Sequence, residues 1–321
     1  MMRTRRPLVL ISAIVVTIAA VVGDLRILNA WGAHGHTISG AAAARALPRE
    51  MPKFFRNAAD QLAYLTPEPD RWRNRGEAER DPAMNGAFAP DHFINFERIP
   101  ESAWQAEDRF AFMADVRAKT GMVLPEAGLS PFHILELFQR LRVAFGEWRA
   151  APDGQTRRWI EQRIVNDAGL LGHYVTDGAN PLHTTIHHHG WIGENPKKYA
   201  TDREIHARFE GRYVQAQVKL GDLMPHMSRP PRVVTEPRRD ILAFLRESHT
   251  YVDEFYTIDQ RAPFNELTTA PQNKQFTVAR LVFGAQMLRD LWWTAWVTSV
   301  DPRNAAPPPP RATGTRPVAL P

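Results

Sequence analysis

The sequence predicts an all-α protein, a single mostly helical domain. Apolar residues recur at helical spacing, as in Ile160, Ile164, Ala168, Leu171 and Val175, which step by four or three along 155–178. No comparable run of alternating apolar and polar residues marks a strand, and no internal repeat is visible. Hydrophobic residues make up 44% of the chain, enough for a sizeable core and too many for wholesale disorder.

In chain order, the N-terminus reads as an export leader over residues 1–30. Arg3, Arg5 and Arg6 form a basic start, followed by an apolar run from Leu8 to Val22. That run suits a signal peptide and is short of the ~20 residues a membrane span requires. Two cleavage points compete, one after Ala20 and one after Ala30, the latter with Leu28 awkwardly at the −3 position. An uncleaved membrane anchor is the alternative. The expected location is therefore exported, periplasmic or secreted. The domain proper spans 31–300, with helices expected over 36–47, 50–64, 101–119, 131–150, 155–178, 201–222, 236–258 and 274–299. The 201–222 helix has a capping-box start, with Thr201 three residues before Glu204. Trp292, Trp293 and Trp296 fall at helical spacing and read as core. The remaining 301–321 is a low-complexity tail containing Pro307 to Pro310, expected to be extended and disordered.

Charge and cysteine usage narrow the classes. The formal charge of +5 resides in the ends: Arg3, Arg5, Arg6 and Arg26 against Asp24, and Arg303, Arg311 and Arg316 against Asp301. The body, 31–300, is formally neutral, so nothing marks it as a basic nucleic-acid-binding surface. There are no cysteines, which excludes a disulfide framework and thiolate metal sites. Any metal must be held by His, Asp, Glu or backbone atoms.

Candidate chemistry concentrates in a few segments. His173 and Asp177 lie four apart and share one face of the expected 155–178 helix, roughly opposite Leu171 and Val175. A largely apolar helix is buried, and a buried imidazole and carboxylate need partners: each other, or a metal ion. Asn180-Pro181 ends this helix and His183 follows directly. His206 and Glu210 repeat the four-residue spacing beside Ile205 and Phe209. Upstream lie Trp31-Gly32-Ala33-His34-Gly35-His36, then Pro69-Asp70-Arg71-Trp72-Arg73, then Asp91-His92-Phe93-Ile94-Asn95. Each is weak alone, and no His-Glu-x-x-His metalloprotease signature occurs.

In joint order and spacing these pieces resemble the superfamily of zinc-dependent bacterial phospholipase C and the fungal and plant single-strand-specific nucleases. The resemblance runs from Trp31 to about Tyr213, with the later helices similar in pattern only. It implies an all-α fold of that type and up to three zinc ions. By this resemblance Asp70, His92, His173 and Asp177 hold one ion. His183, His206 and Glu210 hold a second, with water completing it. Trp31, through its free amino group and carbonyl, holds a third with His36 and Asp177, so that Asp177 bridges two ions. The resemblance therefore implies cleavage between Ala30 and Trp31, since only a true N-terminus offers an amine. It also implies hydrolysis of a phosphodiester by a zinc-held hydroxide. Arg73 would clamp a phosphate oxygen, and Asp70 would serve as both ligand and proton acceptor.

Departures from the nuclease pattern lean the reading toward phospholipase C. Asn95 stands where the nucleases usually carry Asp, Glu210 resembles the phospholipase branch, and the Gly-Gly-Asn stretch typical of nucleases is absent from Thr184 to Gly193. A single-strand nuclease remains the alternative, with Trp72, Phe96, Trp104 and Trp191 as candidate stacking platforms. A non-catalytic zinc-binding exported protein is the alternative from another class. The substrate is a phospholipid or single-stranded nucleic acid; no protein partner is evident, and a monomer is expected. His249 and Asp253, also four apart but outside the family order, read as a structural hydrogen-bonded pair; His187-His188-His189 reads as a solvated loop, with an adventitious metal site or a substrate rim as the alternative.

Overall fold

A computed structural model describes residues 31–122 and 126–300. The leader with both its cleavage points and the Pro-rich tail lie outside the described residues. Among those described, the architecture is the expected all-α one: there is no strand, only the isolated bridges Ile94 to Gly128 and His188 to Gly190. The helices are α1 (Gly32–Arg45), α2 (Lys53–Asn57), α3 (Ala59–Leu65), α4 (Glu68–Trp72), α5 (Arg75–Arg80), α6 (Pro82–Gly86), α7 (Arg109–Thr120), α8 (Ser130–Ala150) and α9 (Gln155–Gly178). They continue with α10 (Ile205–Ala207), α11 (Val214–Gln217), α12 (Leu220–Leu223), α13 (Pro237–His249), α14 (Val252–Arg261) and α15 (Pro271–Thr298). No described helix is long and apolar enough to cross a membrane.

The core forms where α1, α3, α8 and α15 pack around α9. From Ile164 onward α9 is buried almost all round, through Ala168, Leu171 and Val175. This is the burial expected of a helix apolar on most faces. Close approach of α3 to α9 depends on Gly169, where a Cβ would lie 2.3 Å from Leu65 Cβ. Along α15, Phe276, Leu281, Leu288, Leu291 and Trp292 are buried. Trp292 is core as expected, while Trp293 and Trp296 pack half-buried against it. Arg149 lies 3.2 Å over the Trp296 ring.

Local chemistry moves several expected boundaries. The 50–64 helix divides at Ala58 into α2 and α3. Within 101–119 the α-helix begins only at Arg109, because Asp108 caps it by accepting from Phe110 N–H and Ala111 N–H, both at 2.8 Å. The expected 236–258 helix breaks at Thr250–Tyr251 into α13 and α14. That break removes the helical relation of His249 to Asp253. Asp253 instead accepts from Lys197 Nζ at 2.5 Å and Tyr199 Oη at 2.8 Å, while His249 lies against Phe96. The expected hydrogen-bonded pair is not formed.

Over 201–222 the capping box is not formed. Asp202 Oδ1 takes the Glu204 N–H instead, and the helix starts at Ile205. It then widens into a π-turn over Arg208–Tyr213, before Val218 adopts extended backbone and ends it. A π-turn inserts a residue into the helical repeat and shifts the phase of the next turns. Glu210 sits inside it.

Candidate metal centre

The expected ligands sit on several separate elements of the helical scaffold. His36 lies in the second turn of α1, and Asp70 in the short α4. His173 and Asp177 occupy the last turns of α9. His183 comes next, closing a short 3-10 turn from Pro181 that Asn180 caps, its Oδ1 accepting from Leu182 N–H at 3.0 Å. His92 is brought to His183 by a backbone tie, Ile94 N–H to His183 O at 2.9 Å and Phe96 N–H to Thr184 O at 3.3 Å. All of these side chains are buried or nearly so.

The donors converge in two adjoining groups. In the first, Asp177 Oδ1 is 3.2 Å from His36 Nε2, and its Oδ2 is 3.1 Å from His92 Nδ1 and 3.2 Å from His173 Nε2. Asp70 reaches the same place, with Oδ1 3.7 Å from His173 Nε2 and Oδ2 3.8 Å from His36 Nε2. In the second, Glu210 Oε1 is 2.7 Å from His206 Nε2 and 3.1 Å from His183 Nε2, and the two imidazole nitrogens are 3.3 Å apart. Four donors at ~2.1 Å around a tetrahedral ion stand ~3.4 Å from each other, the spacing these contacts scatter about.

The tautomers explain why a cation fits. His173 Nδ1–H donates to Thr66 O at 3.0 Å, and His183 Nδ1–H to His92 O at 2.7 Å, since a carbonyl can only accept. Thr176 Oγ1 spends its proton on Gly172 O at 2.8 Å, so it accepts from His36 Nδ1–H at 2.7 Å. All three imidazoles, when neutral, therefore turn an Nε2 lone pair toward carboxylate oxygens. Lone pairs facing one another in a buried space require a proton or a metal between them. Buried His36 Nε2, Asp70 Oδ2 and Asp177 Oδ1 lack any hydrogen-bond partner, which is the same deficit seen atom by atom. Three groupings of these residues can hold a metal ion: His36, Asp70 and His173; His92, His173 and Asp177; and His183, His206 and Glu210.

The electrostatics of the metal-free protein agree. Burial, with the Asp177 charge adding to it, pushes the Asp70 carboxyl up to about 8 against His36 and Arg73. Burial opposes charge on His183, but Asp177 and Glu210 outweigh it and hold the imidazolium to about 10. Burial also opposes the Asp177 carboxylate, yet His173 and His183 keep it well below the usual range. Protons thus stand in where the donor set asks for cations.

Beside the second group opens a cavity of about 220 Å³, lined by His92, Phe93, His183, His206 and Glu210 together with Arg73. Arg73, singled out for its spacing from Asp70, sits directly after α4 at its C-terminal cap. Trp31 begins the described chain with its ring fully buried, its Nε1–H donating to Thr176 O at 2.6 Å and its face against Phe209. It therefore abuts the residue preceding Asp177.

The expected stacking platforms are not brought to this cavity. Phe96 packs on Trp104, Trp104 on Phe112, and Trp191 stacks on His187 at 3.8 Å. Trp72 is 43% exposed and donates to Glu68. Of the aromatic carbocycles, Phe93 alone of the described residues lines the cavity wall. Asn95 is also outside the donor set, its side-chain amide holding Glu126 O at 2.7 Å. Nor is the histidine run a freely solvated loop: His188 and His189 line the cavity beside His206. Sequence spacing gave no sign of three supports, Thr66, Thr176 and Asn180, the last donating from Nδ2 to Glu210 Oε1. Their roles come from folding alone. No protein-family model matches the chain, and no curated protein does either.

Proposed function

We propose that the protein is an exported zinc-dependent phosphodiesterase of the phospholipase C and single-strand nuclease superfamily, closer to the phospholipase side. One observation carries the reading. Residues picked from sequence by order and spacing, far apart along the chain, lie together as a buried nest of nitrogen and oxygen lone pairs that only cations or protons can reconcile. An all nitrogen-and-oxygen set rich in imidazole suits zinc. Asp70, His92, His173 and Asp177 would hold one ion, and His183, His206 and Glu210 a second. Trp31, His36 and Asp177 would hold a third, given cleavage between Ala30 and Trp31. Zinc bound there supplies Lewis-acid chemistry, neutralising phosphate charge and bringing the pKa of water toward ~7.

The chain's own groups then have defined tasks. Arg73, on the wall of the cavity, offers a fork of N–H donors to two oxygens of a phosphate. Asp70, buried beside His36 and His173, would serve as a proton acceptor at a carboxylate oxygen. Thr66, Thr176 and Asn180 fix the directions of His173, His36 and Glu210, which keeps the donor set in register. The preference for a small phosphodiester head over a nucleobase rests on the about 220 Å³ cavity, the distant aromatic residues and the neutral body.

The deciding experiment is to purify the exported form and measure its N-terminal residue and zinc per chain together, then assay phosphatidylcholine against single-stranded DNA. A start at Trp31, close to three zincs and cleavage of the lipid support the reading. Cleavage of DNA alone moves it to the nuclease branch. One zinc or none, with no phosphodiester hydrolysis, replaces it with a non-catalytic zinc-binding protein.

A further inference from the structure

The second donor group contains three protein ligands, His183, His206 and Glu210, and so leaves one tetrahedral position over. His188 and His189, of the histidine run, line the cavity beside that group, together with Arg73, His92 and Phe93. Gly190 sets the path of the run: with φ +93° its backbone lies so close to Thr201 that a Cβ would come within 2.6 Å of the Thr201 carbonyl carbon. Trp191 N–H adds a bond to Ala200 O at 2.8 Å. The turn is therefore pinned onto 200–202, the segment that leads directly into α10 and His206. Residues 188–189 are held over the cavity by this backbone contact, although His206 is far along the chain.

The two histidines differ in freedom. His188 is tied, its Nδ1–H donating to Thr185 O at 3.0 Å and its ring lying along Phe93. His189 is exposed, so rotation of its side chain costs little. Its ring centre is 5.2 Å from that of His206, against 5.1 Å between His183 and His206 and 6.4 Å between His188 and His206. Two imidazoles on one tetrahedral ion, each bonding at ~2.1 Å, place their ring centres roughly 5 Å apart. The His189 ring thus lies about as far from His206 as the His183 ring does, while its nitrogens stay outside the donor group, so a rotation of this exposed side chain is what would bring one of them in.

We propose that His189 is a fourth protein ligand of the His183, His206 and Glu210 position, turning inward when the cavity is empty and outward to admit substrate. This rests on the reading of that group as a metal position. The consequence is a position that alternates between closed, with four protein donors, and open, with three. Closed sites retain ions, and sites that take substrate need the opening.

The test is titration of the metal-free exported protein with cobalt(II), following visible absorption and affinity, in the parent and in His189→Ala and His206→Ala. His189 is exposed, so its replacement leaves the fold intact. In His189→Ala the number of ions at saturation should be unchanged. One of them should be held at least ~10-fold more weakly, with visible bands shifted and weakened as a nitrogen donor gives way to solvent. In His206→Ala that ion should be lost. Parent-like affinity and spectrum in His189→Ala, with the ion lost in His206→Ala, would overturn the fourth ligand alone. Retention of every ion in His206→Ala would overturn the metal position and the proposal with it.

Discussion

Replacing Asp177 by Asn is the most informative single change. The carboxylate is fully buried, with His36, His92 and His173 all within 3.2 Å of its oxygens. Asn matches its shape, so the packing around the end of α9 is preserved while one negative charge is removed. A unit charge ~2.1 Å from a dication is worth about 4 kcal/mol even with the full screening of water, close to a thousandfold in affinity. As Asp177 would serve two ions, the loss applies at both. The expected result is a drop of about two zincs per chain, with the His183, His206 and Glu210 ion retained. Hydrolysis of a generic phosphodiester should fall by at least about a thousandfold. Elemental analysis and initial rates read the two effects, and denaturation of the metal-free forms checks that the fold survives. Full zinc content with full activity in Asp177→Asn would refute the bridging assignment.

The same geometry yields other outcomes. Arg73→Lys should keep its zinc but lose about 10- to 100-fold in kcat/KM on a soluble phosphodiester, as the forked pair of charged hydrogen bonds is lost. Unchanged kinetics would remove Arg73 from the phosphate site. Gly169→Ala should lower unfolding free energy by about 1–3 kcal/mol in denaturant titration. The new Cβ meets Leu65 Cβ, an atom that cannot swing aside, and this outweighs the helix-propensity gain. Metal uptake should release protons at pH 7, because burial holds Asp70 at about 8, and Asp177 and Glu210, overcoming burial, hold His183 at about 10, both protonated without metal. These protons compete with the ion, so affinity should rise with pH from 7 toward about 10 and weaken in acid. Calorimetry in buffers of different ionisation heat reads this, and zero proton release would contradict it.

The helical class was legible because apolar periodicity is local: Ile160 to Val175 reports its own environment through spacing alone. The paired donors were legible for the same reason, as an i, i+4 relation survives wherever the helix is. Where helix continuity failed, so did inference: His249 and Asp253 share the spacing of His173 and Asp177, but Thr250 and Tyr251 end the helix between them. His206 and Glu210 keep their contact through a π-turn that no periodicity predicts, because the inserted residue is set by tertiary packing.

By itself, then, the sequence determined the fold class, the neutral cysteine-free body and the identities of the candidate ligands. Only the tertiary structure decided which lone pairs turn inward, since that depends on Thr66, Thr176 and the His92 carbonyl arriving behind His173, His36 and His183. It also decided that the histidine run lines the cavity and that the tryptophans do not. The physical reason is the range of the forces. Periodicity and turn chemistry act within a few residues, whereas hydrogen bonds between Thr176 and His36, or Thr66 and His173, form only once burial has brought distant segments together.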